Sequence, residues 1–381
     1  MFLNPNRILP PEPIAVSVIL APAYNVLTSM ALIDKIERTT DLDDWVVRTV
    51  AQLKPAQLDQ HHLIFWGFGF ESIANAVAVN IVDLEFPAYL AALKTADPVQ
   101  LRDNIWQSMR HSAHARLLLD VPPEEIPADL LQDRDVYIAF FAKSMKQISK
   151  EIPYAVFVQA YELLINPPAL QAMLVTHLAY LWEHHVQAEW QRIRPLLQDS
   201  VNAIQQIAIH NLPIFDLIQT ITRRDLRTIF RREELLKVRQ IQFIPSLHNG
   251  PYIMWSGKGD TLRISFSAYI PQGSAVGSET VQQLSQAELL NRLKALADEN
   301  RLKILEALSQ TGELSTPEIM AQFGLSKSAV SRHLRQLHAN NLITERRVAD
   351  GVKKLYRLNV EQRDALLAKL AQLLQGPPTN K

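Results

Sequence analysis

The sequence predicts a mainly α protein with small β parts, in which a large helical amino-terminal α+β domain precedes a smaller carboxyl-terminal domain. Apolar residues recur at helical spacing from about residue 22 to residue 240, and prolines separate the segments. Between residues 238 and 270 the pattern changes to alternating or clustered β-branched and aromatic residues. Short, well-capped helices and a hairpin pattern then occupy the last hundred residues or so.

Composition is that of an ordinary globular protein. The chain has 381 residues, of which 48% are hydrophobic and 20% charged, so more than one domain is expected. It contains no cysteine, which excludes disulfides and thiolate metal sites. The amino terminus lacks an export signal, and its apolar runs are shorter than the ~20 residues that a bilayer requires. We therefore expect a cytoplasmic protein that does not associate with a membrane.

Charge is unevenly distributed along the chain. Lys+Arg and Asp+Glu both number 39 over the whole sequence. Residues 285–381 carry 15 basic and 10 acidic side chains, a net charge of +5, which leaves −5 for the rest. A basic carboxyl-terminal segment on an acidic body fits nucleic-acid binding at that end.

In the amino-terminal domain, predicted as residues 1–270, the run IAVSVIL at 14–20 predicts a strand. Helical spacing predicts helices over 22–38, 43–53, 70–82, 87–95, 98–111, 134–150, 154–165, 168–185 and 189–210. The segments VRQIQFIP, PYIMWS and LRISFSAYI predict a short antiparallel sheet over about 238–270. The Gly-, Ser-, Pro- and Gln-rich stretch 271–284 is interpreted as a flexible linker, and residues 376–381 as a disordered tail.

A helix-turn-helix is predicted inside residues 285–375. Ser315 and Glu318 have the spacing of a capping box, Gly324 supplies the following turn, and Ser326 is placed to cap the next helix. The apolar residues of that helix fall on one side and serine and basic residues on the other. The second helix of such a pair presents its first turns to the major groove of double-stranded DNA.

Two strands joined at Asp350 and Gly351 complete the domain as a basic wing that can lie against phosphates. His333 is interpreted either as a base contact or pH sensor, or as a partly buried or phosphate-facing residue. Phosphate anchoring is predicted for Lys327, Arg346, Arg347, Lys353 and Lys354, and base reading for Ser328, Ser331, Arg332 and Arg335. The full predicted DNA-binding set is Ser326, Lys327, Ser328, Ser331, Arg332, His333, Arg335, Arg346, Arg347, Lys353 and Lys354.

Residues 284–374 resemble the winged helices of ArsR-type bacterial repressors. The resemblance is carried by LKALADENRLKILEAL, GLSKSAVSRHLRQLHANNLI and the wing ADGVKKLYRL. It implies a homodimer whose first and last domain helices pair across the two-fold axis, and a palindromic operator. The apolar residues on those helices, predicted as dimer contacts, are Leu289, Leu293, Leu366, Leu370 and Leu373.

The sequence differs from the metal-sensing members of the ArsR-type family at the positions of their metal ligands. Those members carry cysteine on the helix that here reads STPEIM, or histidine and acidic ligands on the last helix. In this sequence the STPEIM helix has no cysteine, and the last helix has no histidine. No metal and no cofactor are therefore predicted, and metal-regulated release through either site is not expected.

Two roles remain open for the first 284 residues. One is a sensor or dimerisation module that responds to a small-molecule effector, a protein partner or its own copy. The other is an enzyme or small-molecule-binding protein fused to a regulator, although no catalytic constellation or phosphate-binding loop occurs, so the protein is not expected to be an enzyme. Aromatic residues such as those in FWGFGFES are interpreted as core rather than as a ligand pocket, and the eight histidines up to His210 as surface or capping residues.

Overall fold

The computed structural model describes residues 14–34, 42–117, 130–146, 153–207, 212–227, 230, 235, 238–269, 286–347 and 354–374. The predicted linker, the hairpin tip and the tail lie outside the described residues. The chain divides into two compact units, residues 20–197 and a second unit made of residues 1–19 and 198–381. This division groups the first strand and the strands between residues 240 and 267 with the winged helix, and the predicted linker at 271–284 stays a prediction. No described helix is long and apolar enough to cross a bilayer.

The first unit is helical. Proline lies in the first turn of several of its helices, where its missing N–H costs no hydrogen bond, as in Pro22 and Pro98. Two helices run on as π-helical segments, over Leu63–Phe68 and Trp182–Val186. The helices are α1 Pro22–Ile33, α2 Asp44–Gln52, α3 Pro55–His62, α4 Phe70–Ala74, α5 Phe86–Thr95, α6 Pro98–Leu117, α7 Arg134–Lys146, α8 Tyr154–Leu164, α9 Pro167–Leu181 and α10 Gln187–Ile204, whose last residues enter the second unit.

Most predicted helices of this unit are confirmed within a few residues. The predicted helix 70–82 is wrong in length, because α4 ends at Ala74 and a single 3-10 turn, Ile81–Asp83, follows. Sequence spacing missed α3. The aromatic side chains Phe65, Trp182 and Trp190 are buried, as expected for core residues.

The interpretation of all amino-terminal histidines as surface or capping residues is wrong for His61 and His177. Both are almost completely buried, and His61 Nδ1 lies 3.1 Å from His177 Nε2, so the two rings share a hydrogen bond. Burial lowers the pKa of His177 to about 4. Burial, followed by the charges of His177 and His62, lowers the pKa of His61 well below its usual value. The pair is therefore neutral in the folded protein at neutral pH.

The second unit begins with a four-stranded mixed sheet in the order β1-β2-β4-β3. Its strands are β1 Ala15–Val18, β2 Gln240–Ser246, β3 Met254–Lys258 and β4 Thr261–Ser267, and α11 Ile214–Thr222 precedes β2. β1 and β4 both pair with β2 in parallel, and only β3 and β4 are antiparallel. The prediction of an antiparallel sheet is therefore wrong for β2 and β4, which pair in parallel, and right for β3 and β4. Parallel strands are buried on both faces, which agrees with the nearly continuous burial of β2 and β4.

The carboxyl-terminal part of this unit is a winged helix. It contains α12 Gln286–Leu296, α13 Glu299–Thr311, β5 Leu314–Ser315, α14 Thr316–Phe323, α15 Lys327–Ala339, β6 Ile343–Arg347, β7 Lys354–Leu358 and α16 Val360–Leu374. The three strands form an antiparallel sheet in the order β5-β7-β6, of which β5 was not predicted. One apolar cluster, with Ile304, Ile319, Val330 and Leu337 at its centre, holds the helices and the sheet together.

Candidate nucleic-acid interface

The turn between α14 and α15 is fixed by local chemistry. The capping box forms as predicted, since the Ser315 N–H donates to Glu318 Oε2 at 2.7 Å. Gly324 ends α14 with φ 64°, in the left-handed region that favours glycine. The Ala329 N–H donates to Ser326 Oγ at 3.2 Å, which caps α15 as predicted. These contacts set the direction in which the first turn of α15 leaves the domain.

Helix α15 has one buried and one exposed face. Val330, Leu334 and Leu337 are buried in the domain core. Of the side chains predicted to contact DNA, Ser331 is half-buried and the others on this face are exposed, namely Ser326, Lys327, Ser328, Arg332 and Arg335. The structure thus brings six predicted residues to one polar surface, which we call the reading face.

His333 is the exception among the predicted DNA-binding residues, because, of its two interpretations, the buried one fits the structure. Its side chain is only 3% exposed, and its Nδ1 lies 3.7 Å from Asp298 Oδ1. It stands three residues after Val330, one helical turn further on, and so points toward the core. Burial lowers its pKa, and the Asp298 carboxylate opposes that shift. His333 belongs to the support of the helix and lies off the reading face.

A buried polar network beneath α15 was not predicted. Arg301 donates from Nη2 to the Lys294 carbonyl at 3.0 Å, from Nε to the Ala295 carbonyl, and from Nη1 to Gln336 Oε1. Both Arg301 and Gln336 are buried. The arginine therefore ties the beginning of α13 and the end of α12 to the last turn of α15.

Asp298 anchors the same network at the start of α13. Its carboxylate accepts the Arg301 N–H at 2.9 Å and so caps the helix. Its partial burial raises its pKa, but the Arg301 N–H and the Arg301 charge outweigh that effect, so the pKa is lowered overall. The sequence signal was the Asp-Glu-Asn-Arg run at 298–301, in which an aspartate precedes a helix and an arginine follows three residues later.

Two of the predicted phosphate anchors in the wing, Arg346 and Lys354, have acidic partners. Arg346 donates to both carboxylate oxygens of Glu313, at 2.8 and 2.5 Å, and these hydrogen bonds lower the pKa of Glu313. Lys354 Nζ lies 2.8 Å from Glu345 Oε1. Phosphate anchoring by Arg346 and Lys354 therefore requires an exchange of partners. The side chain of Arg347 and all of Lys353 lie outside the described residues.

The predicted dimer contacts separate into two groups. Leu289 and Leu366 are buried in the domain's own core, each 5% exposed, so they are not free to contact a second copy, and Leu370 is half-buried against the same core. Leu293 and Leu373 are exposed, and their role as dimer contacts stays a prediction. Sequence spacing missed further exposed leucines on the same two helices. With those additions the exposed leucines on α12 and α16, which we call the leucine surface, are Leu290, Leu293, Leu367, Leu373 and Leu374.

The winged helix is similar in sequence to known proteins. Residues 298–345 match the family model described as bacterial regulatory protein, arsR family. The arsenical resistance operon repressor of Staphylococcus aureus is 38% identical over 87 residues, which cover 23% of this chain and 81% of that protein. Its counterpart from Staphylococcus xylosus is 40% identical over 78 residues, covering 20% of this chain and 72% of that protein. The solved structure of reduced HlyU from Vibrio cholerae is 34% identical, with a TM-score of 0.19, over 24% of this chain and 92% of that one.

Proposed function

The chain belongs to the ArsR family of bacterial regulatory proteins, and from that premise we propose that it represses transcription as a homodimer that reads a palindromic operator. The matched domain is that of a DNA-binding transcriptional regulator and not of an enzyme. The names of the two staphylococcal relatives support repression as the direction of control. One observation carries the proposal, namely that the reading face gathers serine and arginine on the exposed side of a capped helix.

The reading face supplies the chemistry that sequence-specific binding needs. Arg332 and Arg335 can each donate two hydrogen bonds to the O6 and N7 edge of a guanine. Ser328 and Ser331 can bond bases or phosphate, whereas Lys327 in the first turn neutralises a phosphate close to the positive end of the helix dipole. The hydrogen bond between buried Arg301 and Gln336 fixes the orientation of the helix whose exposed side chains contact the groove.

The leucine surface supports the homodimer. Exposed leucines on two neighbouring helices make a larger apolar patch than a solvent-facing helix normally carries. Arg292 of α12 donates to the carbonyl and the side-chain oxygen of Gln362 of α16, at 2.9 and 2.6 Å, so the two helices present the patch together. Pairing of this patch with its copy sets the separation of two reading faces, and therefore the spacing of operator half-sites.

We assign the residues ahead of the winged helix a modulating role, in which a ligand, a protein partner or a contact with a second copy changes operator affinity. Such control requires that the modulator bind two arrangements of the reading faces with different affinity. The absence of cysteine supports control through a site other than a thiolate metal centre on α14.

Selection of bound DNA from fragmented genomic DNA, followed by footprinting, tests the proposal. The expected result is an inverted repeat whose half-site centres lie about one helical turn or a multiple of it apart. Sedimentation of the complex should give two chains per site. Binding without sequence preference, or by one chain alone, would contradict the proposal.

A further inference from the structure

A cleft lies in the second unit, where the end of α11 approaches the carboxyl-terminal end of α15. It is partly open to solvent, so a ligand would be only partly enclosed by it. Residues from the loop after α11, from the end of the mixed sheet and from the winged helix all line it. The cleft plays no part in the DNA contacts described above.

One wall ties the loop after α11 to the reading helix. Arg224 donates from Nη1 to the His338 carbonyl at 3.1 Å and to Asn341 Oδ1 at 2.8 Å, and from Nη2 to the Pro251 carbonyl. Asn341 returns a hydrogen bond from Nδ2 to the Arg223 carbonyl at 3.0 Å. Any molecule that changes the position of Arg223 or Arg224 therefore acts on the end of α15.

Another part of the lining comes from α12, one of the two helices of the leucine surface. Asn291 and Arg292 of α12 line the cleft, and Arg292 is the residue that joins α12 to α16 through Gln362. The cleft therefore touches both elements on which operator reading depends, the end of the reading helix and the pair of helices that carry the exposed leucines.

The lining indicates the chemistry of an occupant. Three arginines, Arg223, Arg224 and Arg292, line the cleft, and no aspartate or glutamate is among its described lining residues. The Arg223 guanidinium lies 3.8 Å from the centre of the Tyr269 ring, which gives this part of the wall a flat apolar and cationic surface. Guanidinium groups bind carboxylates and phosphates through paired hydrogen bonds.

Asn340 supplies a second and independent indication. It lines the cleft with 3% of its surface exposed, and its Nδ2 donates to the Gln336 carbonyl at 3.0 Å. Its Oδ1 is buried and has no hydrogen-bond partner in the part of the chain that the structure describes. A buried acceptor without a donor is destabilising, and a hydroxyl or amino group of a ligand would satisfy it.

We propose that this cleft binds a small organic anion that carries a carboxylate or phosphate group together with a hydroxyl or amino donor, and that its occupancy changes operator affinity. The anionic group lies against the arginines, and the donor reaches Asn340 Oδ1. The regulatory half of the inference rests on the proposed function, whereas the binding half does not. The carboxylate and the phosphate are two sources of the same recognition chemistry.

Thermal melting and calorimetric titration of the full chain test the binding half, with citrate, glycerol 3-phosphate and, as the neutral counterpart, glycerol. At about 10 mM, tenfold above a Kd of about 1 mM, the bound anion should raise the melting temperature by about 3 °C. Glycerol should give no shift. Which of the two anions binds distinguishes a carboxylate site from a phosphate site, and no saturable binding of either overturns the proposal.

Variants locate the binding. Asn291→Phe fills the cleft without removing an arginine, and Arg223→Gln removes one charge from its wall; both should weaken binding at least tenfold. Arg239→Gln is the matched control, because this exposed arginine of the same unit lies outside the cleft. Binding that survives Asn291→Phe is elsewhere and overturns the proposal, even if Arg223→Gln fails to fold.

Fluorescence anisotropy with the selected operator tests the effect of the anion on operator affinity separately from the binding of the anion itself. A bound anion is expected to change operator affinity at least fivefold in the wild-type chain and not in Asn291→Phe. Unchanged affinity with the cleft occupied overturns the regulatory half. If the chain binds the anion but no operator, the proposed function fails while the binding site stands; if it binds operator but no anion, only the cleft proposal fails.

Discussion

Arg301 donates a hydrogen bond to the side-chain oxygen of Gln336, and both residues are buried beneath the helix that carries the reading face. The arginine reaches this position from the first turn of α13, where its own N–H is bound by Asp298. A charged side chain in such a place is stable only while its hydrogen-bond acceptors remain. The reading helix is thus oriented by polar contacts as well as by the apolar core.

Replacing Gln336 by leucine should therefore destabilise the winged helix. The substitution keeps the volume but leaves an Arg301 N–H without its acceptor, at a cost of about 1 to 3 kcal/mol in the free energy of unfolding. Chemical denaturation measures that change. Gln322→Leu, on the exposed surface of α14, is the control and should change the free energy by less than about 0.5 kcal/mol. Equal effects of the two variants would show that the buried contact contributes nothing.

Arg332→Ala should weaken operator binding by about 1 to 3 kcal/mol and relax the preference at one base pair of each half-site. The side chain is exposed on the reading face, so the fold should be unaffected. Arg332→Lys keeps the charge but loses the two-hydrogen-bond geometry and should recover only part of the affinity. Gel-shift titration against operator variants measures both quantities. Unchanged affinity in Arg332→Ala would mean that the reading face is wrongly assigned.

Glu313→Gln should strengthen DNA binding. Glu313 holds Arg346 in a two-hydrogen-bond ion pair, and its neutralisation frees the guanidinium for a phosphate. One additional phosphate contact steepens the dependence of log affinity on log salt by about 0.9. Glu306→Gln makes the same charge change at another exposed position of the domain and serves as the control. The same salt dependence in the two variants would exclude Arg346 as a latent phosphate anchor.

Leu367→Glu should dissociate the dimer. Leu367 is 57% exposed on the leucine surface, and in the proposed dimer a carboxylate there would face its own copy across the two-fold axis. Sedimentation velocity should show a monomer, and operator affinity should fall because one reading face remains. Leu196→Glu introduces the same change at an exposed leucine of α10 and should leave the dimer intact. A dimer that persists in Leu367→Glu would place the interface elsewhere.

Local signals allowed most of the winged helix to be predicted from the sequence. The capping box of Ser315 and Glu318, the turn at Gly324 and the cap at Ser326 each involve neighbours within three residues, so their spacing is visible in the sequence. His333 was included in the predicted DNA-binding set, although the interpretation as a partly buried residue agrees with its position one turn after Val330. Helical geometry buries that position whatever residue occupies it.

Contacts between distant segments left no such signal. β1 at Ala15–Val18 pairs with β2 at Gln240–Ser246, and the alternation within each strand does not specify its partner. The Arg301 and Gln336 contact joins two helices that each appear amphipathic, and the spacing within each helix does not indicate that these two polar side chains meet. The leucine surface was predicted only in part, because three of the five leucines chosen by spacing, Leu289, Leu366 and Leu370, pack in or against the core of the domain itself.

The buried histidine pair predicts that the helical unit loses stability in acid. His61 and His177 are neutral in the folded chain because burial lowers both pKa values, that of His177 to about 4. In the unfolded chain histidine binds a proton near pH 6.5, so below that pH the unfolded state holds more protons and the free energy of unfolding falls by up to about 1.4 kcal/mol per pH unit for each site. Above pH 7 the pair causes no loss of stability, because it is neutral in both states. The free energy of unfolding then falls as the pH decreases from about 6.5 toward 4. Denaturation of the full chain between pH 4.5 and 8 should show this slope.

Replacing one histidine of the pair tests whether the pair causes the loss of stability in acid. His177→Gln can keep a hydrogen bond to His61 but cannot bind a proton, and the slope below pH 6.5 should become shallower although the variant is less stable at pH 8. Leu174→Ala lies on the same helix, is fully buried, and should cost about 2 to 5 kcal/mol at every pH. It therefore controls for loss of stability alone and should retain the wild-type slope. If His177→Gln kept that slope as well, the acid sensitivity would have to come from other groups in the chain.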